Sequence, residues 1–523
     1  MASKNKCIFL TILVLQITLV FLYYALKNKT SVSMYWKFGG IFNYSNLKTN
    51  SSDGDSTVLD YLPASLLNLI GFGNKGPDAA WNETETTSET QSDGRLNNSN
   101  AAKRSAVNRE LTRRRGSDHT ETTNKAANKS PENLQPFKQI DDKNAWVYSA
   151  YYDDVAAGQG KPSVHLFGLI AGSLIRSIYC TFSFSNSSLE VNGTAGCLTG
   201  CNSNTHIASH VVCPLPANAR PTHVSLSYNP KNQPNNRLQI IYPGNLTRNF
   251  TVCYSVLHSN YNNAALLLQS IEMNRILGAE HFMVYNYSIS PAVSQILQRY
   301  QKDGLVTVLP WPLPTRQIFY YGQLAALSDC SYRNRRISRF IVVVDTDEFI
   351  IPRNSLSWMQ LIDSISPQER DVSTFMHPSD PSKKGSKTTG SFEFKSSFFS
   401  NDFTPNWTAL PSQFPFSDEE RKDILKFKFR TLSQFWRTHV LPPRHRSKYI
   451  ARPELVYIAG VHWVQVPTVH MKGFVVNEYQ ALIHHFKKTS LNFTVMDTNI
   501  LKFKKLLYPR LVEQYKRFPS IFM

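Results

Sequence analysis

Two aspartates stand two positions apart directly after an apolar run, residues 340–344, whose composition indicates a buried strand. Asp345 and Asp347 can approach one ligand where the chain bends out of a sheet. Their oxygens suit hard cations such as Mn²⁺ or Mg²⁺, which would bridge to a diphosphate and stabilise its departure. An exposed acidic turn is the alternative for such a short motif. The place behind a buried strand favours a metal site with Mn²⁺ or Mg²⁺ as cofactor.

The elements that must position this motif alternate between strands and helices from residue 249 onward. Short apolar runs indicate strands, and apolar residues three and four apart indicate helices. The series predicts a parallel sheet with helices on its faces, whose ligands bind beyond the carboxyl ends of the strands. The predicted strands are 250–257, 281–285, 305–309 and 340–344, and the predicted helices are 263–277, 292–300 and 323–333.

Short β-like runs recur between turn signals from residue 145 to 248, which predicts a small β-rich module before the α/β domain. This module contains four cysteines, and two more follow it. An even number suits three disulfide bonds, whereas the spacing of the first four matches no standard zinc site. We therefore expect disulfides among Cys180, Cys197, Cys201, Cys213, Cys253 and Cys330.

The N-terminal region predicts a membrane anchor followed by a tether. Residues 8–26 form an apolar run without a formal charge, long enough to span a bilayer as a helix. A cleaved signal peptide is the alternative, but the run exceeds the usual length and no small-x-small cleavage site follows it. Residues 1–7 would be a cytoplasmic tail, and the polar residues 27–140 a disordered, glycosylated stem.

Thirteen Asn-x-Ser/Thr sequons follow the apolar run, a density that suits the lumen of the secretory pathway. Lysines flank the run on both sides and do not decide its orientation. The sequons and cysteines therefore predict a single-pass type II protein whose folded part is lumenal. The sequons are Asn28, Asn43, Asn50, Asn82, Asn97, Asn128, Asn186, Asn192, Asn245, Asn249, Asn286, Asn406 and Asn492.

The formal net charge is +19 at pH 7. No basic run interleaved with aromatic residues marks a nucleic-acid-binding module, so we do not expect nucleic acid as a partner. A positive domain is compatible with a nucleotide diphosphate as ligand, although charge alone is a generic signal.

Several blocks of the sequence, in order, resemble the glycosyltransferase family 92 domain over roughly residues 249–490. The resemblance implies a GT-A fold, Rossmann-like with a mostly parallel sheet, in a domain at 249–523. It also implies inverting transfer in the Golgi, with UDP-galactose as donor and β-galactosylation of fucose on N-glycan cores as a described family activity. The blocks are NRILGAEHF at 274–282, DGLVTVLPWP at 303–312, QLAALSDC at 323–330, VDTDEFIIP at 344–352, KYIARPELV at 448–456 and GVH at 460–462.

Four residues become candidates for binding the donor. Lys448 and Arg452 carry positive charge that would stabilise a departing UDP, and Asp345 would reach the diphosphate through the metal. Asn286, beyond the second predicted strand, would face the uracil unless its sequon carries a glycan.

The closing block departs from the family pattern. His485-Phe486-Lys487 stands where the family has a block resembling His-Tyr-Arg, so a phenol hydroxyl and a guanidinium are absent. Donor affinity or acceptor choice is expected to differ if those groups contact a substrate. His485 is a candidate third metal ligand. The sequence supports equally the alternative that His485 has only a structural role.

An inverting transfer needs a base that takes the proton of the acceptor hydroxyl. Glu348 adjoins the metal pair and is expected to orient the loop. A catalytically silent glycan-binding ectodomain that retains the fold is the alternative function. The candidate bases, among which the sequence does not choose, are Glu393, Asp402, Glu454 and Asp497.

Overall fold

The computed structural model describes residues 137–154, 162–198, 200–201, 205–232, 234–365, 388–400, 405, 407–468 and 471–522. The predicted tail, the anchor and the stem up to residue 136 lie outside these ranges. So do Asp402 and the sequons at 28, 43, 50, 82, 97, 128 and 406. Within the described ranges, no helix has both the length and the apolar character needed to cross a membrane.

The first sheet is built from eight strands. They are β1 (Lys138–Gln139), β2 (Ala145–Asp153), β3 (Ser163–Ala171), β4 (Ser177–Ser183), β5 (Ser188–Cys197), β6 (His206–Pro214), β7 (His223–Ser227) and β8 (Leu238–Ile241). Their order is β1-β2-β3-β6-β5-β4-β7-β8, and β2 also pairs with β8, so the sheet closes on itself. Because β1 pairs with β2 and Ile140 is buried, the predicted stem extends too far at its C-terminal end.

The next elements follow the predicted alternation closely. They are β9 (Arg248–Tyr254), α1 (Ala264–Leu277), β10 (His281–Asn286), α2 (Pro291–Lys302), β11 (Val306–Pro310), α3 (Gln323–Arg333) and β12 (Ser338–Val344). Local signals explain the boundaries of α1. The Asn263 side chain accepts the N–H of Leu266 at its start, and Gly278 ends it with a φ of +119°, which side chains disfavour.

The remaining strands of the described residues extend the sheet of β9 to β12 and form two others, of five strands and of two, and α-helices accompany them. They are β13 (Glu348–Pro352), α4 (Trp358–Ile365), β14 (Thr388–Phe394), β15 (Ser396–Phe399), α5 (Asp418–Phe427), β16 (Trp436–Arg437), β17 (Lys448–Ala451), β18 (Val456–Ala459), β19 (Val464–Pro467), β20 (Met471–Val476), β21 (Ala481–Phe486), β22 (Val495–Met496), α6 (Lys504–Arg517) and α7 (Pro519–Phe522).

The α/β part contains two mixed sheets. The larger has the order β11-β10-β9-β12-β17-β14-β20, in which β17 runs against its two neighbours. The second has the order β13-β21-β15-β16-β22 and combines parallel and antiparallel pairs. The expected parallel core is present in β9 to β12, whereas the reversed strand and the second sheet were not anticipated from the sequence.

Three disulfides join the six cysteines expected to form them: Cys180–Cys213, Cys197–Cys201 and Cys253–Cys330. The first two lie within the closed sheet, and the third ties α3 to β9. The expectation of disulfides is thereby confirmed.

The described sequons differ in their surroundings. Asn249 donates its side-chain amide to Glu280 Oε1 at 3.1 Å, and Asn286 is half-buried at the end of β10. The exposed sequon asparagines are Asn186, Asn192, Asn245 and Asn492.

Helix α3 joins the closed sheet to the α/β part. The Asp329 carboxylate accepts hydrogen bonds from Tyr151 of β2 and Tyr285 of β10. Two residues beyond the helix, the Arg335 guanidinium contacts Asp153 of β2, and both side chains are about 95% buried. Buried charges of this kind are stable only when paired, so the two parts are held in one arrangement.

A buried histidine pair lies in this joint. His165 Nδ1 and His210 Nε2 are 2.8 Å apart, and Tyr332 Oη lies 3.1 Å from His165 Nδ1. Burial lowers the pKa of His165 to about 4, with the Asp153 carboxylate acting in the opposite direction and Arg335 in the same one. Burial also holds the pKa of His210 well below its usual range. Both rings are therefore neutral when the protein is folded near neutral pH.

We expect the free energy of unfolding to fall as the pH drops from about 6.5 to about 4. In that window the unfolded chain binds more protons than the folded one, because histidine in the unfolded state has a pKa near 6.5. His165→Gln removes one such group and should reduce the slope by up to about 1.4 kcal/mol per pH unit. Urea unfolding at a series of pH values measures this slope.

The control is His445→Gln, which changes an exposed histidine and should leave the slope as in the wild type. An identical slope in His165→Gln would contradict the assignment of the buried pair.

Candidate functional site

The order of strands in the seven-stranded sheet reverses at β9. The chain moves outward from β9 to β10 and β11 and then returns to the other side of β9 as β12. Both pairings of β9 are parallel, so the carboxyl ends of these strands meet at one edge. Ligands of open α/β sheets bind in the crevice at such a point. Asp345, the first residue after β12, stands at this edge.

Strand register gathers four ionisable side chains around Asp345. Strand β17 is antiparallel to β12, which brings its first residue beside the end of β12. Strand β13 is antiparallel to β21, which places His485 opposite Glu348. The backbone N–H of Asp345 donates to Glu348 Oε2 at 2.8 Å and closes the intervening turn. The group, called the charged cluster below, comprises Asp345, Asp347, Glu348, Lys448 and His485.

The charged cluster has a buried layer and a layer open to solvent. Lys448 Nζ lies 2.9 Å from Asp345 Oδ2 and 3.3 Å from Glu348 Oε2. His485 lies 3.4 Å from Glu348 Oε1 and 3.5 Å from Asp347 Oδ2. The side chains of Lys448 and Glu348 are 0% and 1% exposed, whereas those of Asp345 and Asp347 are 38% and 30% exposed. Only the two aspartates therefore present oxygens to a ligand.

Opposite charges decide the ionisation of this cluster. Burial acts to raise the pKa of Asp345, but Lys448, Ser255 and His485 together outweigh burial and hold the pKa well below its usual range. Burial acts to lower the pKa of Lys448, and Asp345 and Glu348 raise it further than burial lowers it. The pKa of His485 is raised by Asp347 and Glu348 against the effect of burial. Asp345 is anionic and Lys448 cationic at neutral pH.

The two basic candidates for donor contact lie at opposite ends of β17. Lys448 is underneath the aspartates, fully buried, and does not face the crevice. Arg452 lies four residues farther on, roughly 13 Å along an extended strand. Its guanidinium lies over the ring of Phe340, and its Nε donates to the carbonyl of Thr389 at 3.2 Å. The structure does not bring Arg452 to the site. Asn286, in contrast, ends β10 at the same edge as Asp345.

The departure from the family pattern at residue 486 falls in the hydrophobic core. The Phe486 ring is 1% exposed and packs edge-on against Phe349, with centroids 5.6 Å apart. A hydroxyl group there would require a buried partner, so phenylalanine suits this position. Phe486 therefore does not contact a substrate in this arrangement.

The candidate bases occupy different places. Glu393 pairs with Tyr449, next to Lys448, and its Oε1 accepts the N–H of Arg444 at 3.0 Å. Glu454 lies in a short 3₁₀ helix, Pro453–Leu455, at the end of β17 that is distant from the site. Asp497 accepts hydrogen bonds from Arg353 and Arg437 at 2.8 and 2.9 Å, as a structural ion pair would. Glu393 and Asp497 each stand beside a neighbour of the charged cluster, Glu393 opposite Tyr449 and Asp497 3.9 Å from His484.

An aromatic wall that the sequence analysis missed borders the crevice. The rings of His258 and Tyr321 stack with centroids 3.9 Å apart, and Ser259 Oγ lies 3.1 Å from Tyr321 Oη. Burial lowers the pKa of His258, and the Asp345 carboxylate acts against this shift. The preceding Leu257 forms a backbone bridge with Asn286, so the wall lies at the edge where β9 and β10 end. The adjoining Phe319 and Tyr320 are 71% and 49% exposed. The aromatic run before α3 was the available signal.

Two further residues accompany Asp347 and its neighbour Thr346. Tyr261 Oη lies 3.0 Å from Thr346 Oγ1 and steadies the loop. Burial lowers the pKa of Arg430, while the Asp347 carboxylate opposes that shift, so the guanidinium lies within electrostatic reach of the site. No spacing pattern in the sequence connects Arg430 with the aspartates.

The charged cluster does not form a complete metal cage by itself. In the part of the chain that the structure describes, no three His, Cys, Asp or Glu side chains stand together as a ready metal site. Asp347 and His485 have suitable donor types, and one Asp345 oxygen is already bonded to Lys448. A cation here would need oxygens from its substrate, as Mg²⁺ commonly does.

Lys448→Met should lower the free energy of unfolding by about 3 kcal/mol, because it leaves the carboxylates of Asp345 and Glu348 without their buried counter-charge. Lys395→Met is the matched control. Lys395 pairs with Glu478 at 2.8 Å, but both side chains are about one quarter exposed, so the loss should stay below about 1 kcal/mol. Urea unfolding measures both losses. Equal losses of unfolding free energy in the two variants would contradict a larger contribution from the buried Lys448 pair.

Comparisons with known proteins identify a family. A model of glycosyltransferase family 92 matches residues 248–520, just over half of the chain. A beta-1,4-galactosyltransferase of Caenorhabditis elegans is 29% identical over 118 residues, 22% of this chain and 28% of the relative. A glycosyltransferase family 92 protein of the same organism is 33% identical over 116 residues, 20% of this chain and 22% of the relative. The matches span less than a third of these relatives.

Solved structures resemble the chain only remotely. Glucosyl-3-phosphoglycerate synthase from Mycobacterium tuberculosis is 12% identical, covering 51% of this chain and 80% of that one, with a TM-score of 0.23. TarS from S. aureus is 11% identical, covering 52% and 72%, with a TM-score of 0.21. Such scores support no functional statement.

The family match has a wider basis than the Asp-x-Asp motif. It runs from β9 to α6 and includes all five residues of the charged cluster. The chain belongs to glycosyltransferase family 92.

Proposed function

We propose that this chain is a metal-dependent, inverting glycosyltransferase that transfers galactose from UDP-galactose, in β linkage, to a glycoprotein glycan such as the core fucose of N-glycans. The charged cluster at the switch point of the sheet carries the proposal, because half-exposed carboxylates stand where α/β sheets bind nucleotides. The nematode relative named as a beta-1,4-galactosyltransferase supports the choice of galactose.

We place the enzyme in the Golgi membrane as a type II protein. The apolar run 8–26, which lies outside the described residues, would be its anchor. Three disulfides and exposed sequon asparagines suit an oxidising lumen, where glycoprotein acceptors are also found.

Asp347 and His485 would hold the cation, with Asp345 beside them. A carboxylate and an imidazole suit Mn²⁺. Mg²⁺ is the alternative cation, although it takes nitrogen ligands less often than Mn²⁺ does. When bound, the cation would neutralise negative charge on the departing diphosphate. Arg430 would add positive charge on the same side of the site.

The other residues of the crevice would orient the two substrates. The His258–Tyr321 stack is a flat wall against which a nucleobase can pack, and Asn286 borders the same edge. Inversion requires a carboxylate across the sugar from the cation, and Glu393, on the strand beside β17, is our candidate for that base.

The test is UDP release from a panel of UDP-sugars by the purified chain, with Mn²⁺ or with EDTA, in the presence of a pool of N-glycan acceptors. We expect UDP release from UDP-galactose that requires the metal. The rate of release should fall about a hundredfold in Asp347→Asn, because the charge that develops in the transition state then lacks its stabilising partner. Asp418→Asn changes an aspartate that is 91% exposed and should leave the rate unchanged.

Metal-dependent release from a different UDP-sugar would retain the enzyme and replace the donor. Binding of the glycan pool without UDP release from any donor would instead favour the silent glycan-binding ectodomain.

A further inference from the structure

Lys448 is a buried cation whose bonds are already committed to two carboxylates. Its ammonium lies 2.9 Å from Asp345 Oδ2 and 3.3 Å from Glu348 Oε2, and its side chain is 0% exposed. A lysine at an open surface, with three N–H donors on a four-carbon stem, suits a phosphate. The Lys448 ammonium instead lies on the side of the aspartates that faces the protein interior. Because its side chain is 0% exposed, the ammonium does not reach a ligand in the crevice in this arrangement.

The same contact changes what the two aspartates can offer to a cation. One Asp345 oxygen is taken by the ammonium, and the positive charge of Lys448 stands directly behind the motif. Asp347 is not bonded to Lys448, and its Oδ2 faces His485 Nε2 at 3.5 Å. Among the described residues, no three metal-binding side chains stand together as a ready site.

We propose that Lys448 is a positioning residue that withholds Asp345 from the cation and thereby makes cation binding depend on the diphosphate of the donor. The inference rests on the proposed function and deepens it. Alone, the cation meets Asp347, His485 and a repelling ammonium, and it binds weakly. The diphosphate brings oxygens and negative charge, so cation and donor bind together and leave together.

The size of the effect follows from electrostatics. A unit charge roughly 6 Å from a divalent cation changes cation affinity by about tenfold even at the dielectric constant of bulk water, which sets the lower bound. By reciprocity, UDP must tighten the cation by the same factor as the cation tightens UDP.

The experiment measures Mn²⁺ affinity by electron paramagnetic resonance of the free ion, with and without UDP. Wild-type protein should bind Mn²⁺ weakly alone and much more tightly with UDP. Lys448→Met should bind Mn²⁺ about tenfold more tightly than wild type without UDP, because Asp345 is released and the repelling charge is gone. The enhancement by UDP should shrink accordingly. A residue that only supports the fold would weaken Mn²⁺ binding when removed.

A second variant guards against misfolding. Lys448→Met combined with Glu348→Gln removes both members of the fully buried pair, which is far less destabilising than removing one. This double variant should bind Mn²⁺ about tenfold more tightly than Glu348→Gln alone. Lys448→Arg keeps the charge and should retain wild-type coupling, and Lys395→Met serves as the control for loss of a distant lysine.

Two results would overturn the inference. Unchanged Mn²⁺ affinity in the double variant relative to Glu348→Gln, with weaker UDP binding, would assign Lys448 to the diphosphate. Tight Mn²⁺ binding by the wild type without UDP would remove the dependence itself. Failure of the wild type to bind Mn²⁺ even with UDP is a separate result, which would reject the metal dependence of the proposed function.

Discussion

The ammonium of Lys448 between Asp345 and Glu348 is the interaction on which the site depends. Two carboxylates that converge at a sheet edge repel one another, and burying either without a counter-charge is costly. Lys448 supplies that charge from the neighbouring strand, and Glu348 returns a hydrogen bond to the backbone of Asp345. The turn after β12 thus has one stable form. Asp347 and His485 can then face the crevice in a defined relation.

Helix α3 connects the closed sheet to this site. That helix begins beside the aromatic wall, carries Asp329 between tyrosines of both sheets, and is tied by the Cys253–Cys330 bond to β9, whose carboxyl end borders the crevice. The joint contains buried ionic and neutral polar groups, which tolerate little displacement because each must keep its partner. The closed sheet therefore acts as a support for one wall of the crevice.

The family resemblance and the geometry assign different tasks to residues of two blocks, 448–456 and 485–487. Lys448 and Arg452 both suggest phosphate contacts by charge, yet strand direction separates them by the length of β17. Phe486 suggests a lost hydroxyl in a substrate site, yet its ring packs in the core. In each case the residue type was informative about chemistry, while the direction in which the side chain points determined whether that chemistry reaches the crevice.

Three features could be predicted from the sequence alone: the alternation of β9 to β12 with their helices, the disulfide character of the cysteines, and the place of the aspartates behind a buried strand. These follow from local periodicity, capping and residue chemistry, which act over a few neighbouring residues. The pairing of Lys448 with Asp345, 103 residues earlier, could not be predicted, because it exists only where the fold makes β17 the neighbour of β12. The same holds for the His165–His210 pair, for Arg430 and for the aromatic wall. Their positions depend on which strands become neighbours and in which register, and no local pattern encodes that choice.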